Sequence, residues 1–121
     1  MPMYIMDAEP CPDLTAEELH LKYANITSEK ELADAYAIAS NQFWWVEDDI
    51  YDYAEGTPEY KSALDITASW EKVLQEYEKK VFSILKGEGV TIPDTGRIKI
   101  LIPFMARNGY ADRSGWWIKE A

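Results

Sequence analysis

Two apolar stripes with helical spacing leave this chain little choice of architecture. In each stripe the residues are alternately three and four positions apart, which places all of them on one face of an α-helix. The first stripe consists of Leu32, Tyr36, Ala39, Phe43, Val46, Ile50 and Tyr53. The second consists of Tyr60, Ala63, Thr67, Trp70, Leu74, Tyr77, Val81 and Ile84. The two stripes predict two long amphipathic helices, each with one buried face.

Signals at the ends of the stripes set the helix boundaries. Residues 28–31 have the pattern of a capping box at the start of the first helix, which we expect to end near Ala54. Thr57 followed by Pro58 is a typical start for the second helix, and Gly87 is a typical end. Because only three or four residues separate the two helices, they must run antiparallel.

Shorter elements flank this helical hairpin. We expect a short strand within residues 3–6 and a short helix that begins with the capping box at 15–18. Residues 97–102 are rich in β-branched side chains and predict a strand, with 116–119 as a second strand paired to it. The predicted fold is therefore α+β and mainly helical: a long antiparallel helical hairpin plus a short N-terminal helix and a small C-terminal strand region, in a single domain over residues 1–121.

The net charge of the chain is −10, and it is unevenly distributed. Residues 1–60 hold 14 acidic residues and two lysines, a net of −12, whereas residues 61–121 have a net of +2. An acidic protein repels nucleic acid and anionic membranes and attracts basic partners. Cys11 is the single cysteine, and neither a signal peptide nor a membrane-spanning apolar run is recognisable. We therefore expect a cytoplasmic protein that does not engage membranes.

The densest acidic segment lies where the two long helices are expected to join. Six acidic residues fall in this segment with no basic residue among them: Glu47, Asp48, Asp49, Asp52, Glu55 and Glu59. In size and charge the chain resembles the small acidic inhibitors of phages and mobile elements, which occupy the basic groove of nucleases or DNA-binding proteins. We expect a non-enzymatic protein-interaction module, an inhibitor or regulator, that presents this acidic face to a basic, nucleic-acid-binding partner. The alternative is a face that is only solvated.

Two adjacent tryptophan pairs, Trp44-Trp45 and Trp116-Trp117, provide a second candidate contact surface. Neighbouring side chains diverge by about 100° on a helix and by about 180° on a strand, so that both members of a pair cannot face one core. Because exposed aromatics are enriched at the centres of interfaces, we assign all four tryptophans to the partner-binding site. Self-association through these aromatics, as a homodimer, is an alternative function. Coverage of the tryptophans by the C-terminal segment is the alternative structural explanation.

The sequence offers little for catalysis. It lacks four Cys or His ligands for a structural zinc ion, and His20 has no recognisable nucleophile motif nearby. The segment Asp48-Asp49-Ile50-Tyr51-Asp52 resembles the E-E-x-x-E half-motif of the all-helical nucleotide pyrophosphohydrolases, the MazG-like group, with Asp in place of every Glu and without the following E-x-x-D half. The resemblance implies a magnesium-dependent phosphohydrolase as a further alternative, with Asp48, Asp49 and Asp52 at the metal. Otherwise we expect no cofactor, no metal and no catalytic residue.

Basic residues of the C-terminal segment alternate with aromatic ones, a combination that single-strand nucleic-acid-binding proteins use. These basic residues are Arg97, Lys99, Arg107, Arg113 and Lys119. Because they accompany a half of the chain with a net charge of −12, we expect them to neutralise it internally. We therefore do not expect direct nucleic-acid binding.

Overall fold

The computed structural model describes residues 4–5, 15–113 and 116–120, which form a mainly helical α+β fold. In chain order the elements are β1 (Tyr4–Ile5), α1 (Ala16–Lys22), α2 (Glu29–Asp49), α3 (Pro58–Gly87), α4 (Ile98–Ala106), β2 (Tyr110–Arg113) and β3 (Trp116–Glu120). A 3₁₀ turn, Ile50–Asp52, follows α2 directly. The predicted fold class is confirmed, since α2 and α3 form the long hairpin and small elements flank it. Cys11 lies outside the described residues, as does the predicted strand at 3–6 apart from β1.

The two hairpin helices begin where side-chain oxygens satisfy backbone N–H groups of the first turn. The Ser28 hydroxyl accepts a hydrogen bond from the Glu31 amide at 3.1 Å, and the Thr57 hydroxyl accepts one from the Tyr60 amide at 3.2 Å. Both starts lie where the sequence predicts them. Within the described residues, no helix has the combination of length and apolar character needed to cross a bilayer.

Helix α3 ends at Gly87, but the glycine that terminates it is Gly89. Gly87 is still helical, and Gly89 adopts the left-handed φ of +86° that favours glycine. The Val90 N–H donates to the Leu85 carbonyl at 2.9 Å and the Gly89 N–H donates to the Lys86 carbonyl at 3.0 Å. These two bonds form a Schellman motif, so Gly89 terminates the helix in place of Gly87.

The core forms where both stripes meet the remaining elements. The stripe residues that are fully covered include Leu32, Tyr36, Ala39, Trp70, Tyr77 and Val81. Helix α2 is also buried on its other faces, because Ala33, Ala35 and Ala37 have no exposed surface. These small side chains let α3 and β3 both approach α2 closely, from different sides.

A side chain of α2 attaches the small sheet to the hairpin. The strand order is β1-β3-β2 with antiparallel neighbours, and the register places Ile5 of β1 opposite Lys119 of β3. Two residues away along β3, the Asn41 side-chain amide acts as a strand partner. Its Nδ2 donates to the Trp117 carbonyl at 2.8 Å, and its Oδ1 accepts from the Trp117 N–H at 2.9 Å. This bidentate pair fixes β3 to the middle of α2.

The strand predicted at residues 97–102 is wrong, because these residues begin helix α4. Leu101, Phe104 and Met105 of α4 are buried, and their spacing of three and four residues defines one helical face. The β-branched composition favours a strand, but burial of this face in the core outweighs that local preference. Pro103 removes one backbone donor from a helix of nine residues, which the short element tolerates.

The strand partner of β3 is therefore β2, not the segment 97–102. Strand β2 begins directly after the turn that Asn108-Gly109 predicts, where Gly109 has a φ of +91°. The register places Asp112 opposite Trp117. The C-terminal β-hairpin thus exists, but it lies wholly beyond α4.

An ion cluster closes the end of the helical hairpin that lies opposite its connection. Arg107, directly after α4, contacts Glu29 at the start of α2 (Nη2–Oε1 2.6 Å) and Glu88 after α3 (Nη2–Oε2 2.9 Å). Asn108 donates a further hydrogen bond to Glu29 at 2.7 Å. The hydrogen bonds from Arg107 hold the pKa of Glu29 below its usual value. At this end of the hairpin, a basic residue of the C-terminal segment therefore pairs with acidic residues of the same chain.

Candidate protein-interaction site

We call residues 43–66 the hairpin tip, where the end of α2, the connection and the start of α3 lie together. The six predicted acidic residues are distributed over the last turn of α2 (Glu47, Asp48, Asp49), the 3₁₀ turn (Asp52), the connection (Glu55) and the first turn of α3 (Glu59). With Asp65 and a single base, Lys61, the net charge of the hairpin tip is −6. Over the part of the chain that the structure describes, none of its acids forms an ion pair.

The position of three of these acids is unfavourable for the helix that carries them. Glu47, Asp48 and Asp49 lie at the C-terminus of α2, where the partial negative charge of the helix dipole prefers basic side chains. The last turn of α2 contains no basic residue. This placement is consistent with α2 ending at Asp49, one turn before the predicted end near Ala54. The acidic cluster therefore does not serve the stability of α2.

Large apolar side chains are exposed beside the acids. Trp44 and Trp45 are each about half exposed, at 51% and 50%. Tyr53 is exposed to 43% and Ile66 to 48%. Trp44 packs edge-on against Phe43, with ring centroids 5.7 Å apart. Several exposed large apolar residues on one surface are typical of an interaction site.

Two adjoining clefts run along the seam between α2 and α3 at the hairpin tip. The first has a volume of about 370 Å³ and lies between Val46 and Tyr53 on one side and Ala63 and Ile66 on the other. The second, about 290 Å³, extends past Trp45 to the start of α1. Because Val46, Asp49 and Ile66 line both clefts, they form one continuous feature. We call it the tip groove.

The tip groove is open because the apolar stripes extend beyond the elements that cover them. Tyr36 and Trp70 are buried at 4% and 2% exposure, whereas Val46 is partly exposed and Tyr53, at the end of the first stripe, is exposed. Helix α1 reaches the groove only through its first residues. Ala63 is too small to fill the space between the helices. The groove is therefore the end of the α2–α3 packing surface that lies beyond the covering elements.

The sequence does not identify Tyr53, Ile66 or Glu17 as groove residues. Its periodicity places Tyr53 in the buried stripe, and neither Ile66 nor Glu17 belongs to a predicted site. The available signal for Ile66 is its apolar side chain beside Thr67, at a position outside the second stripe. The exposure of Tyr53 depends on where the covering elements end, which the local sequence does not indicate.

The C-terminal tryptophans do not belong to this site. Trp117 is 2% exposed, its ring centroid lies 6.2 Å from that of Tyr36, and Asn41 holds its backbone. Its assignment to the partner-binding residues is therefore wrong, because the core covers its side chain. Trp116 is partly buried and belongs to β3, not to the hairpin tip. Of the four predicted tryptophans, Trp44 and Trp45 remain at the candidate site.

The carboxylates of the hairpin tip do not converge on a metal site. Among the described residues, no group of three His, Cys, Asp or Glu side chains is placed to hold a metal ion. Asp48 and Asp49 end an α-helix while Asp52 belongs to the 3₁₀ turn, so the regular spacing of the nucleotide pyrophosphohydrolase motif is interrupted. The geometry therefore gives the magnesium-dependent alternative no support.

Comparisons of this chain with protein-family models, with curated proteins and with solved structures give no match. The charge, exposure and shape of the hairpin tip are therefore the observations on which a functional assignment depends.

Proposed function

We propose that this protein is a non-enzymatic protein-interaction module, an inhibitor or regulator, that binds a basic partner through the hairpin tip. The observation that supports this most directly is a net charge of −6 on acids without ion-pair partners among the described residues, beside half-exposed Trp44 and Trp45. A nucleic-acid-binding protein is the partner class whose surface is complementary to this charge.

Charge and aromatic area have separate roles in such a complex. Unpaired surface acids attract a basic partner over the range of the screening length and accelerate the encounter. Exposed tryptophans then supply buried apolar area, which holds the partner after contact. The acids at the C-terminus of α2 oppose its dipole, so their presence is better explained by binding than by stability.

Self-association is a second candidate, because the half-exposed Trp44 and Trp45 would be buried in a dimer. Joining two hairpin tips would bring together two surfaces of net charge −6, and this repulsion opposes the dimer. Self-association through aromatics predicts a dimer that persists at high salt. We therefore place it behind binding of a basic partner.

The test is capture of proteins from host lysate on the immobilised chain, read by mass spectrometry at about 50 mM and about 300 mM salt, where the screening length differs about 2.5-fold. We expect basic, nucleic-acid-binding proteins to be retained at low salt and lost at high salt. The double variant Asp48→Asn/Asp52→Asn should reduce this retention, since it removes charge from the hairpin tip.

The matched control is Glu71→Gln/Asp94→Asn, which removes the same charge at exposed positions outside the hairpin tip. It should retain the partner as the unmodified chain does. If both double variants lost the partner equally, only the net charge of the chain would matter. If the partner were retained equally at low and high salt, the proposal would be contradicted.

A further inference from the structure

We infer that the tip groove receives an amphipathic basic helix of the partner, whose apolar side chains enter the clefts while its lysines or arginines face Asp49 and Glu59. This inference rests on the proposed function and adds the form of the recognised segment. It follows from the length of the groove, the character of its walls and their charge.

The groove has the length of a short helix. Along α3 its lining extends from Pro58 to Trp70, which corresponds to about 18 Å at the helical rise per residue. A docked helix of about 12 residues, three turns, spans that distance. Helices that lie in grooves of this kind use apolar side chains at successive turns as anchors.

The groove walls provide places for such anchors. Ile66 and Val46 stand at the junction of the two clefts, Tyr53 lines the first and Trp45 lines the second. The half-exposed Ile66 and Trp45 lose their remaining contact with water when a helix covers them. The two adjoining clefts therefore offer anchor sites one after the other along the groove, as successive turns of a docked helix require.

The charge of the walls selects a basic helix. Asp49 lines both clefts, Glu59 lines the first and Glu17 the second, and none of the described residues that line either cleft is basic. In contrast, a cleft beside α1 includes His20 and Lys72. The same charge disfavours a second copy of this chain, since its hairpin tip is acidic as well.

The test uses two labelled synthetic peptides of leucine and lysine, about 14 residues long to match about three to four helical turns. One has leucines at helical spacing, and the other has the same composition with leucines spread around the helix. Fluorescence anisotropy measures the dissociation constant of each. We expect the amphipathic peptide to bind about ten-fold more tightly than the spread one.

Two matched pairs of variants locate the peptide. Ile66→Ser removes a groove residue, and Leu64→Ser changes a similarly exposed residue, at 42%, that lines neither cleft. Trp45→Ser and Tyr51→Ser form the second pair, since Trp45 lines the groove and Tyr51 is an exposed aromatic residue, at 82%, that lines neither cleft. The groove variants should weaken binding of the amphipathic peptide about five- to ten-fold, whereas the controls leave it unchanged. Circular dichroism identifies a variant that fails to fold, in which case the other pair decides.

Outcomes separate this inference from the proposed function. If both peptides bind equally and Ile66→Ser matches Leu64→Ser, the helix-in-groove inference is overturned while binding of basic partners through charge survives. If neither peptide binds at low salt, both are overturned. If sedimentation shows a dimer that Ile66→Ser dissociates and Leu64→Ser does not, a second copy occupies the groove and the inference is wrong.

Discussion

Asn41 is a fully buried polar residue whose two hydrogen bonds to Trp117 replace those of a neighbouring strand. The side-chain amide presents an N–H group and a carbonyl oxygen in the geometry of a peptide group, so it can pair with both backbone groups of Trp117. No apolar side chain of similar size could satisfy these groups. A single residue therefore determines how the sheet is attached to the hairpin.

The first prediction concerns this attachment. Asn41→Ala leaves the N–H and the carbonyl of Trp117 without their partner, and we expect the free energy of unfolding to fall by about 2–4 kcal/mol. Urea unfolding followed by tryptophan fluorescence measures the change. Asn25→Ala, at an exposed position, is the control and should change it by less than about 0.5 kcal/mol. A similarly small effect of Asn41→Ala would contradict the role assigned to the amide.

The second prediction concerns Tyr77, whose hydroxyl is buried without a hydrogen-bond partner among the described residues. Burial, assisted by the charge of Glu76, raises the pKa of Tyr77 to about 12. The folded state therefore holds this proton more tightly than the unfolded state, whose pKa is near 10. Stability from this source is complete below pH 10 and falls by up to about 1.4 kcal/mol per pH unit as the pH rises towards 12.

Tyr77→Phe removes this titration and an unsatisfied hydroxyl. At pH 7 we expect its stability to lie within about 1 kcal/mol of the unmodified chain. Above pH 10 the variant should become the more stable of the two, as urea titrations at pH 7 and pH 11 would measure. Tyr36→Phe is the contrast at pH 7, because the Tyr36 hydroxyl hydrogen-bonds Trp117 and Ser40 and its loss should destabilise the fold. If the difference in free energy of unfolding between Tyr77→Phe and the unmodified chain were the same at pH 7 and pH 11, the raised pKa of Tyr77 would be contradicted.

At the scale of elements, the two helix ends at the hairpin tip have opposite electrostatics. The C-terminus of α2 carries three acids that oppose its dipole, whereas Glu59 in the first turn of α3 complements the dipole of that helix. The same charge thus destabilises one helix and stabilises the other. We propose that the acidic residues at both helix ends serve binding and not folding.

The third prediction follows from this asymmetry. Asp48→Asn should raise the free energy of unfolding by a few tenths to about 1 kcal/mol, and Glu59→Gln should lower it by a similar amount. Thermal unfolding at low ionic strength measures both changes, and added salt should reduce both. Changes of the same sign in the two variants would show that overall charge repulsion, not the helix dipole, dominates at the hairpin tip.

The sequence predicts elements well where periodicity and end signals agree. Ser28, Thr57 and the two stripes identify the hairpin because local preference and tertiary packing require the same structure. The prediction is wrong for residues 97–102 because their β-branched composition favours a strand whereas their burial pattern requires a helix. Composition is the weaker of the two determinants. Trp117 could not be placed from sequence, since its burial depends on contacts with Tyr36 and Asn41, both distant in the chain.

At the scale of the whole molecule, charge is separated between the two ends of the hairpin. At one end Arg107 forms ion pairs with Glu29 and Glu88, while the hairpin tip keeps its acids without ion pairs among the described residues. The uneven charge was visible in the sequence, but the tip groove was not. The groove exists because the covering elements end before the stripes do, a property of the assembled fold that no local pattern encodes.

The fourth prediction concerns magnesium. Because the described carboxylates do not gather into a site for a metal ion, about 5 mM Mg²⁺ should leave the thermal midpoint unchanged apart from screening. Sodium chloride at equal ionic strength is the matched control in differential scanning fluorimetry. A midpoint raised by Mg²⁺ but not by sodium, and lost with Asp48→Asn or Asp49→Asn, would restore the phosphohydrolase alternative.

The bond between Asn41 and Trp117 also has a consequence for how the chain folds during translation. The two residues are 76 positions apart, and at about 5–20 residues per second the ribosome needs roughly 4–15 s to travel from one to the other. Throughout that interval the nascent α2 lacks both the strand that covers it and the partner of its amide. The pairing of Asn41 with Trp117 is therefore made late, after the local contacts of the helical hairpin have become possible, and the Asn41 amide depends on water until then.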